Sequence, residues 1–150
     1  MSHFPDTSFL CALYCAQDNS IQADAYMEAL AGSLQISSLL LLEFRQSVRL
    51  QIRLHGYDRT KGFPRMEGER MLRNLQADLA SGVVANAPVN WPEVHYLAEG
   101  LSGKHTSMKG FRFTDILHVA TALHLGVSEF LTFDGKQKKL ATAEGLQVPL

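Results

Sequence analysis

Cysteine is nearly absent from this sequence, with only Cys11 and Cys15 among 150 residues. Two thiols cannot build a disulfide framework, and their four-residue spacing is not the C-x-x-C of a redox or zinc site. On a helix they stand one turn apart within the apolar run 9–16, where small core residues are expected. An excess of charge of either sign is also missing: 14 basic and 15 acidic residues leave a net charge of −1. That balance excludes a polybasic coat, so a nucleic-acid partner must be held by a local site. Apolar runs such as 9–16 and 39–42 are too short to span a bilayer. No basic segment followed by an apolar stretch opens the chain, so no secretory signal is expected and a cytoplasmic location is. Aromatic residues make up only 9% of the chain and form no ladder, which argues against a stacking platform for long single strands. What remains, 46% apolar and 19% charged, is the composition of one globular domain over 1–150. A domain of that length folds without metal or disulfide, so any metal would serve function.

The periodicity predicts helices alternating with short β segments, hence an α/β domain. A strand stub at Phe4-Pro5 precedes a helix over 10–16, and a second helix over 20–31 ends at Gly32. Residues 34–36 form a β candidate, and Ser37 or Ser38 caps a long helix reaching His55. Pro64 suits the first turn of a helix to Ala80. Residues 83–89 are a β candidate broken by Pro88. Asn90-Trp91-Pro92-Glu93 has capping-box spacing and opens a helix to Leu101. An exposed polar loop is expected over 104–110, then a helix over 111–125, a strand over 128–133, a helix over 135–143 and a last strand over 147–149. About five interleaved strands imply a mostly parallel sheet covered on both faces, with ligands outside the carboxyl ends of its strands.

Four acidic residues stand where solvent alone does not explain them. Asp6 follows the first strand stub, where an N-cap is an equally good account. Glu43 interrupts Leu39-Leu40-Leu41-Leu42-Glu43-Phe44, and a helical wheel puts Leu39, Leu50 and Leu54 beside it, so its carboxylate is expected on the apolar face. An unpaired charge there costs several kcal/mol and calls for a partner, a proton or a metal. Arg45, Arg49 and Arg53 project elsewhere and read as a solvated stripe or an oligomer contact. Asp115 opens a helix with an apolar face, where the helix dipole and Arg112 both favour an acid. Asp134 ends a strand, where it also suits an N-cap. Four such acids on one small sheet require a cation among them, and hard oxygen donors suit Mg²⁺ or Mn²⁺.

The segments Asp6-Thr7-Ser8-Phe9-Leu10, Ser37 through Glu43-Phe44-Arg45, Phe111-Arg112-Phe113-Thr114-Asp115-Ile116-Leu117-His118-Val119-Ala120-Thr121-Ala122 and Leu131-Thr132-Phe133-Asp134 resemble, in order, the motifs of the PIN-domain family. The likeness is greatest to the VapC-type ribonuclease toxins of toxin–antitoxin pairs. It implies a three-layer α/β/α fold with four to five short strands and a Mg²⁺- or Mn²⁺-dependent endoribonuclease. It also implies an RNA substrate, frequent homodimerisation and inhibition by an antitoxin. Position by position, Asp6, Glu43, Asp115 and Asp134 match the family's catalytic and metal-binding acids, with Asp6 and Asp115 as direct ligands and Glu43 and Asp134 completing the shell. Ser8 and Thr132 match supporting hydroxyl positions, and Arg112 accompanies Asp115. The chain departs from the pattern in its first strand, which is short and carries Pro5, so one donor is lost.

His118 lies three residues beyond Asp115 and resembles a position commonly occupied by His; no second His shares its face, so hydrogen bonding is expected of it rather than metal ligation. Lys104, His105, Lys109 and Arg112 precede Asp115, and Lys136, Lys138 and Lys139 follow Asp134, where they can position phosphate. An RNase H-like nuclease would need alternating strands that residues 8–80 lack. An Asp-nucleophile phosphotransferase would need an acid where Ser8 stands. A PIN domain without catalysis, serving as an RNA- or protein-binding module, is the reading from a different class.

Overall fold

The computed structural model describes residues 2–150. The chain runs β1 (His3–Pro5), α1 (Thr7–Tyr14), α2 (Ser20–Ala29), β2 (Leu34–Ile36), α3 (Ser38–Tyr57), α4 (Arg65–Ser81), β3 (Val84–Asn86) and α5 (Trp91–Leu101). A π-helical turn (Ser102–Thr106) and a short α6 (Ser107–Lys109) lead to α7 (Phe113–His124), β4 (Glu129–Leu131) and α8 (Gly135–Ala143). All strand pairing is parallel: β1 with β4, in register Phe4 to Phe130, and β2 with β3, in register Gln35 to Ala85. β2 also packs alongside β1, which sets the two ribbons next to each other. Pro5 offers no N–H, and the backbone of Asp6 resumes the bonding by donating to the Leu131 carbonyl at 3.0 Å.

Three-residue strands hold because both faces are covered by buried side chains. Phe4, Phe130, Leu131, Leu34 and Ile36 from the strands meet Phe9 and Leu10 of α1, Leu40 and Phe44 of α3, Leu75 of α4 and Leu140 of α8. α7 runs through this interior with eight consecutive buried residues from Asp115 to Ala122. A helix apolar all round is a buried one.

Several boundaries depart from expectation for local reasons. α1 begins at Thr7 rather than at residue 10, because Asp6 caps it by accepting from the Phe9 N–H at 3.1 Å. α2 ends at Ala29, short of Gly32. The segment 104–110 is not an open loop: the π turn and α6 close it, and buried His105 bonds Glu144 at 2.5 Å, tying the turn to the end of α8. That partner lies 39 residues away, out of reach of a local reading. α7 starts at Phe113 instead of 111. The last predicted strand reduces to one parallel bridge between Gln147 and Glu129.

The expected face of α3 also needs correcting. Its buried stripe is Leu40, Phe44 and Val48, whereas Leu50 and Leu54 are 52% and 38% exposed. Glu43 therefore stands at the rim of the core, not inside an apolar face, and its side chain is 28% exposed. No helix among the described residues is long and apolar enough to cross a membrane.

Candidate active site

The carboxyl ends of β1 and β4 point the same way because the two strands pair in parallel, and β2 packs beside β1. Each of these ends delivers polar residues into a helix N-terminus: Asp6 into α1, Ser37 into α3 and Asp134 into α8. Parallel sheets expose their ligand sites at this edge.

Asp6 is the most buried of the four acids, 3% exposed. Its Oδ1 accepts from the Ser8 hydroxyl at 2.6 Å and the Phe9 N–H, and its Oδ2 accepts from the Thr132 hydroxyl at 2.5 Å. All three donors are neutral. Burial pushes its carboxyl above the ordinary value, against the lowering effect of these bonds and of the more distant His118. Thr132 and Ser8 in turn accept from the backbone N–H groups of Asp134 and Phe133, both at 2.9 Å. The two hydroxyls thus lock the end of β4 to the start of α1.

Glu43 is held by two elements. The Thr7 hydroxyl donates to its Oε1, and the Nε2 of His118 lies 3.2 Å from its Oε2. Burial raises its carboxyl, but the bonds from His118 and Thr7, with the charges of His118 and Arg112, hold it below the ordinary value. A carboxylate only accepts, so Nε2 carries the proton. The Nδ1 of His118 is buried with no partner among the described residues.

Asp115 is buried at the first turn of α7. Arg112 Nε donates to its Oδ2 at 3.2 Å and Gln137 Nε2 to its Oδ1 at 3.3 Å. Gln137 is itself buried, with its Oε1 unpartnered among the described residues. Asp134 accepts from the N–H groups of Lys136 and Gln137, so it caps α8 in full agreement with its structural role. The Arg112 guanidinium is the cation that links the set: the pull of Asp115, and more weakly of Asp134 and Glu43, raises its pKa.

Sequence reasoning missed Thr7 and Gln137. Thr7 stands beside Asp6 with spacing of no special kind. Gln137 follows Asp134 by three residues in a polar stretch, and only the turn of α8 sends its amide back to Asp115. Of the basic residues expected near phosphate, Lys104 and His105 are bound to Glu144 and Lys138 to the Leu150 carbonyl. Arg112 and Lys136 remain beside the acids, with Lys136 reaching the Gly110 carbonyl at 3.5 Å.

The donor set suits a hard divalent ion in type, since it offers carboxylate oxygens and a buried Asp6 with no cation in contact. It does not form a closed cage: no three His, Cys, Asp or Glu side chains among the described residues stand close enough to clasp an ion.

The fold and this edge define an α/β domain with an acidic site. Residues 3–143 match the PIN-domain model, and the chain belongs to the PIN-domain family. Solved structures agree. The chain is similar to VapC20 of Mycobacterium tuberculosis, a sarcin-ricin loop cleaving toxin, with 22% identity, 97% of each chain covered and a TM-score of 0.68. It is also similar to a toxin–antitoxin complex from Klebsiella pneumoniae, with 17% identity, a TM-score of 0.64, all of this chain and 98% of the other covered. VapBC-1 from nontypeable Haemophilus influenzae matches with 16% identity, a TM-score of 0.64 and coverage of 99% and 96%. No curated protein sequence matches the chain.

Proposed function

We propose that the protein is a Mg²⁺- or Mn²⁺-dependent endoribonuclease and the toxin of a type II toxin–antitoxin pair. The observation that carries this reading is Asp6: a carboxylate held almost out of solvent by neutral donors alone, linked through Thr132 to Asp134 and through its neighbour Thr7 to Glu43. A buried anion with no cation in contact is costly, and a functional cation removes that cost. Asp6 and Asp115 would hold the ion directly, with Glu43 and Asp134 completing its shell. A divalent ion there supplies an acidified water and neutralises charge on the phosphodiester.

The residues of the chain do the rest. Glu43, fixed by Thr7 and His118, orients the attacking water. Ser8, Thr132 and Gln137 hold Asp6 and Asp115 in place. Arg112, tied to Asp115 through Nε, keeps its terminal nitrogens for a phosphate oxygen, and Lys136 adds charge beside it. The toxin–antitoxin complexes among the structural neighbours support an antitoxin as the protein partner. The family likeness supports a homodimer working in the cytoplasm.

The test is cleavage of RNA by the purified protein with Mg²⁺ or Mn²⁺, followed by end-group analysis. Fragments with 5′-phosphate and 3′-hydroxyl ends are expected, with cleavage lost in excess EDTA and restored by adding back the ion. Metal binding without cleavage of any RNA tested would favour a binding module.

A further inference from the structure

The arginine stripe of α3 takes no part in the acidic edge, and it belongs to a wider segregation of charge. Residues 45–73, which run from within α3 to within α4, hold eight of the 14 basic residues and three of the 15 acidic ones. That stretch carries +5 and the rest of the chain −6. A solvated face mixes the two signs, whereas a block of one sign sets up a field that draws in the other.

Within this stretch Arg49, Arg53 and Arg65 line one cavity of about 390 Å³ with Ile52, Gly56 and Tyr57, and no acidic side chain lines it. The ion pairs here are Lys61 with Asp58 and Arg65 with Glu69, the second a 3.6 Å contact between exposed groups. Arg49 and Arg53 have no carboxylate partner among the described residues. Arg53 lies instead over the ring of Tyr57, 5.0 Å from its centroid, and Tyr57 is 74% exposed. Arg65 opens α4, whose N-cap Pro64 makes no side-chain bond, so the positive end of that helix adds to the same place.

We propose that this cavity is a second RNA contact, an anchor for the phosphodiester backbone outside the cleavage site. That it serves cleavage rests on the nuclease reading given above; that it binds RNA does not.

Three guanidinium groups lining one cavity repel each other unless an anion joins them. Their planar forks match phosphate oxygens in pairs and stay charged at any physiological pH. Arg49 and Arg53 stand one helical turn apart, about 6 Å along the axis, so they offer two charges in line to a polyanion. Tyr57, held by Arg53, adds a flat face on which a base can stack. An acidic peptide would meet the charges, but a base beside a phosphate meets both the charges and the ring. The anchor also shares its helix with Glu43: Arg49 and Arg53 lie about 9 and 15 Å further along α3 and about 120° and 80° round it. A strand held at both places crosses α3 obliquely. With a single aromatic the hold is electrostatic, so it weakens steeply with salt.

The full chain is titrated, in excess EDTA, into a long fluorescein-labelled oligouridylate, and binding is read by anisotropy over a range of salt. Arg49→Gln/Arg53→Gln is compared with Arg70→Gln/Arg73→Gln, which removes the same charge from α4 outside the cavity. All four arginines are exposed, so both variants should melt near the wild-type midpoint. The first variant is expected to bind at least about tenfold more weakly at low salt. Its slope of log K against log salt should be shallower by about 1.4, at about 0.7 for each single-strand phosphate contact. The second variant should lose less than about threefold. Equal losses in the two variants overturn the cavity as the site, and wild type that binds no oligouridylate overturns the anchor and leaves the patch to an acidic protein. With Mg²⁺ and an RNA that wild type cleaves, the KM of Arg49→Gln/Arg53→Gln should rise about tenfold. A KM that stays at the wild-type value while binding in EDTA weakens overturns the anchor's role in cleavage. Wild type that cleaves nothing contradicts the nuclease reading instead, and the titrations in EDTA still decide the anchor.

Discussion

Asp6→Asn is expected to reduce RNA cleavage by at least about a hundredfold while leaving the metal-free protein as stable as wild type or more so. Loss of a ligand explains the first effect and burial the second. Because burial raises the Asp6 carboxyl in the folded state, that site binds its proton more readily folded than unfolded. Stability from such a group is present at low pH and is lost as the pH rises through the folded value. At neutral pH the ionised carboxylate therefore opposes folding. Asn keeps an oxygen for Ser8 and the Phe9 N–H, and its amide can donate to the Thr132 hydroxyl, which accepts in place of donating. Denaturant melts of the metal-free proteins should give Asp6→Asn an equal or higher midpoint. Its stability should also fall less than that of wild type between the ordinary carboxylate range, about pH 4, and neutrality. Added Mn²⁺ should raise the midpoint of wild type and not that of the variant. A variant destabilised at every pH would show that Asp6 matters as a cap and not as a buried charge.

The largest effect on stability is expected at Phe130, which lies in β4 with no solvent exposure and stacks on Phe4 at 6.4 Å. Truncating such a residue costs about 3–5 kcal/mol in lost burial and a residual cavity, of which the aromatic pair accounts for about 0.5–1.5 kcal/mol. A domain stable by about 5–15 kcal/mol does not absorb that easily. Urea melts should give Phe130→Ala a much lower midpoint, and its activity should fall too, because β4 leads directly into Thr132 and Asp134. Phe113, two residues before Asp115 but 75% exposed, is the contrast. Phe113→Ala should change stability by less than about 0.5 kcal/mol.

The helices and the parallel pairing were legible because each rests on a local signal: the Asn90 cap, the stop at Gly82, and the short apolar strands flanked by turns. Asp6 and Asp134 stood out for the same reason, and both do cap helices while facing the sheet edge. What could not be read depends on partners far along the chain. Glu43 looked core-facing on a wheel, yet the wheel contains neither Thr7 nor His118, the residues that hold it at the rim. Gln137 and the His105–Glu144 tie escaped notice because polar residues in polar stretches carry no periodic signal. The two cysteines read as small core residues from their spacing, and Cys15 does lie in the core with Cys11 packed against it.

The central claim is that four acids, two beyond strand ends and two on helices, serve one hydrolytic site. It is tested most directly by measuring RNA cleavage in Mg²⁺ for wild type and for Asp6→Asn, Glu43→Gln, Asp115→Asn and Asp134→Asn. The account predicts active wild type and a loss of about a hundredfold or more in each folded variant. Full cleavage by Asp115→Asn, or by wild type in excess EDTA, would contradict it.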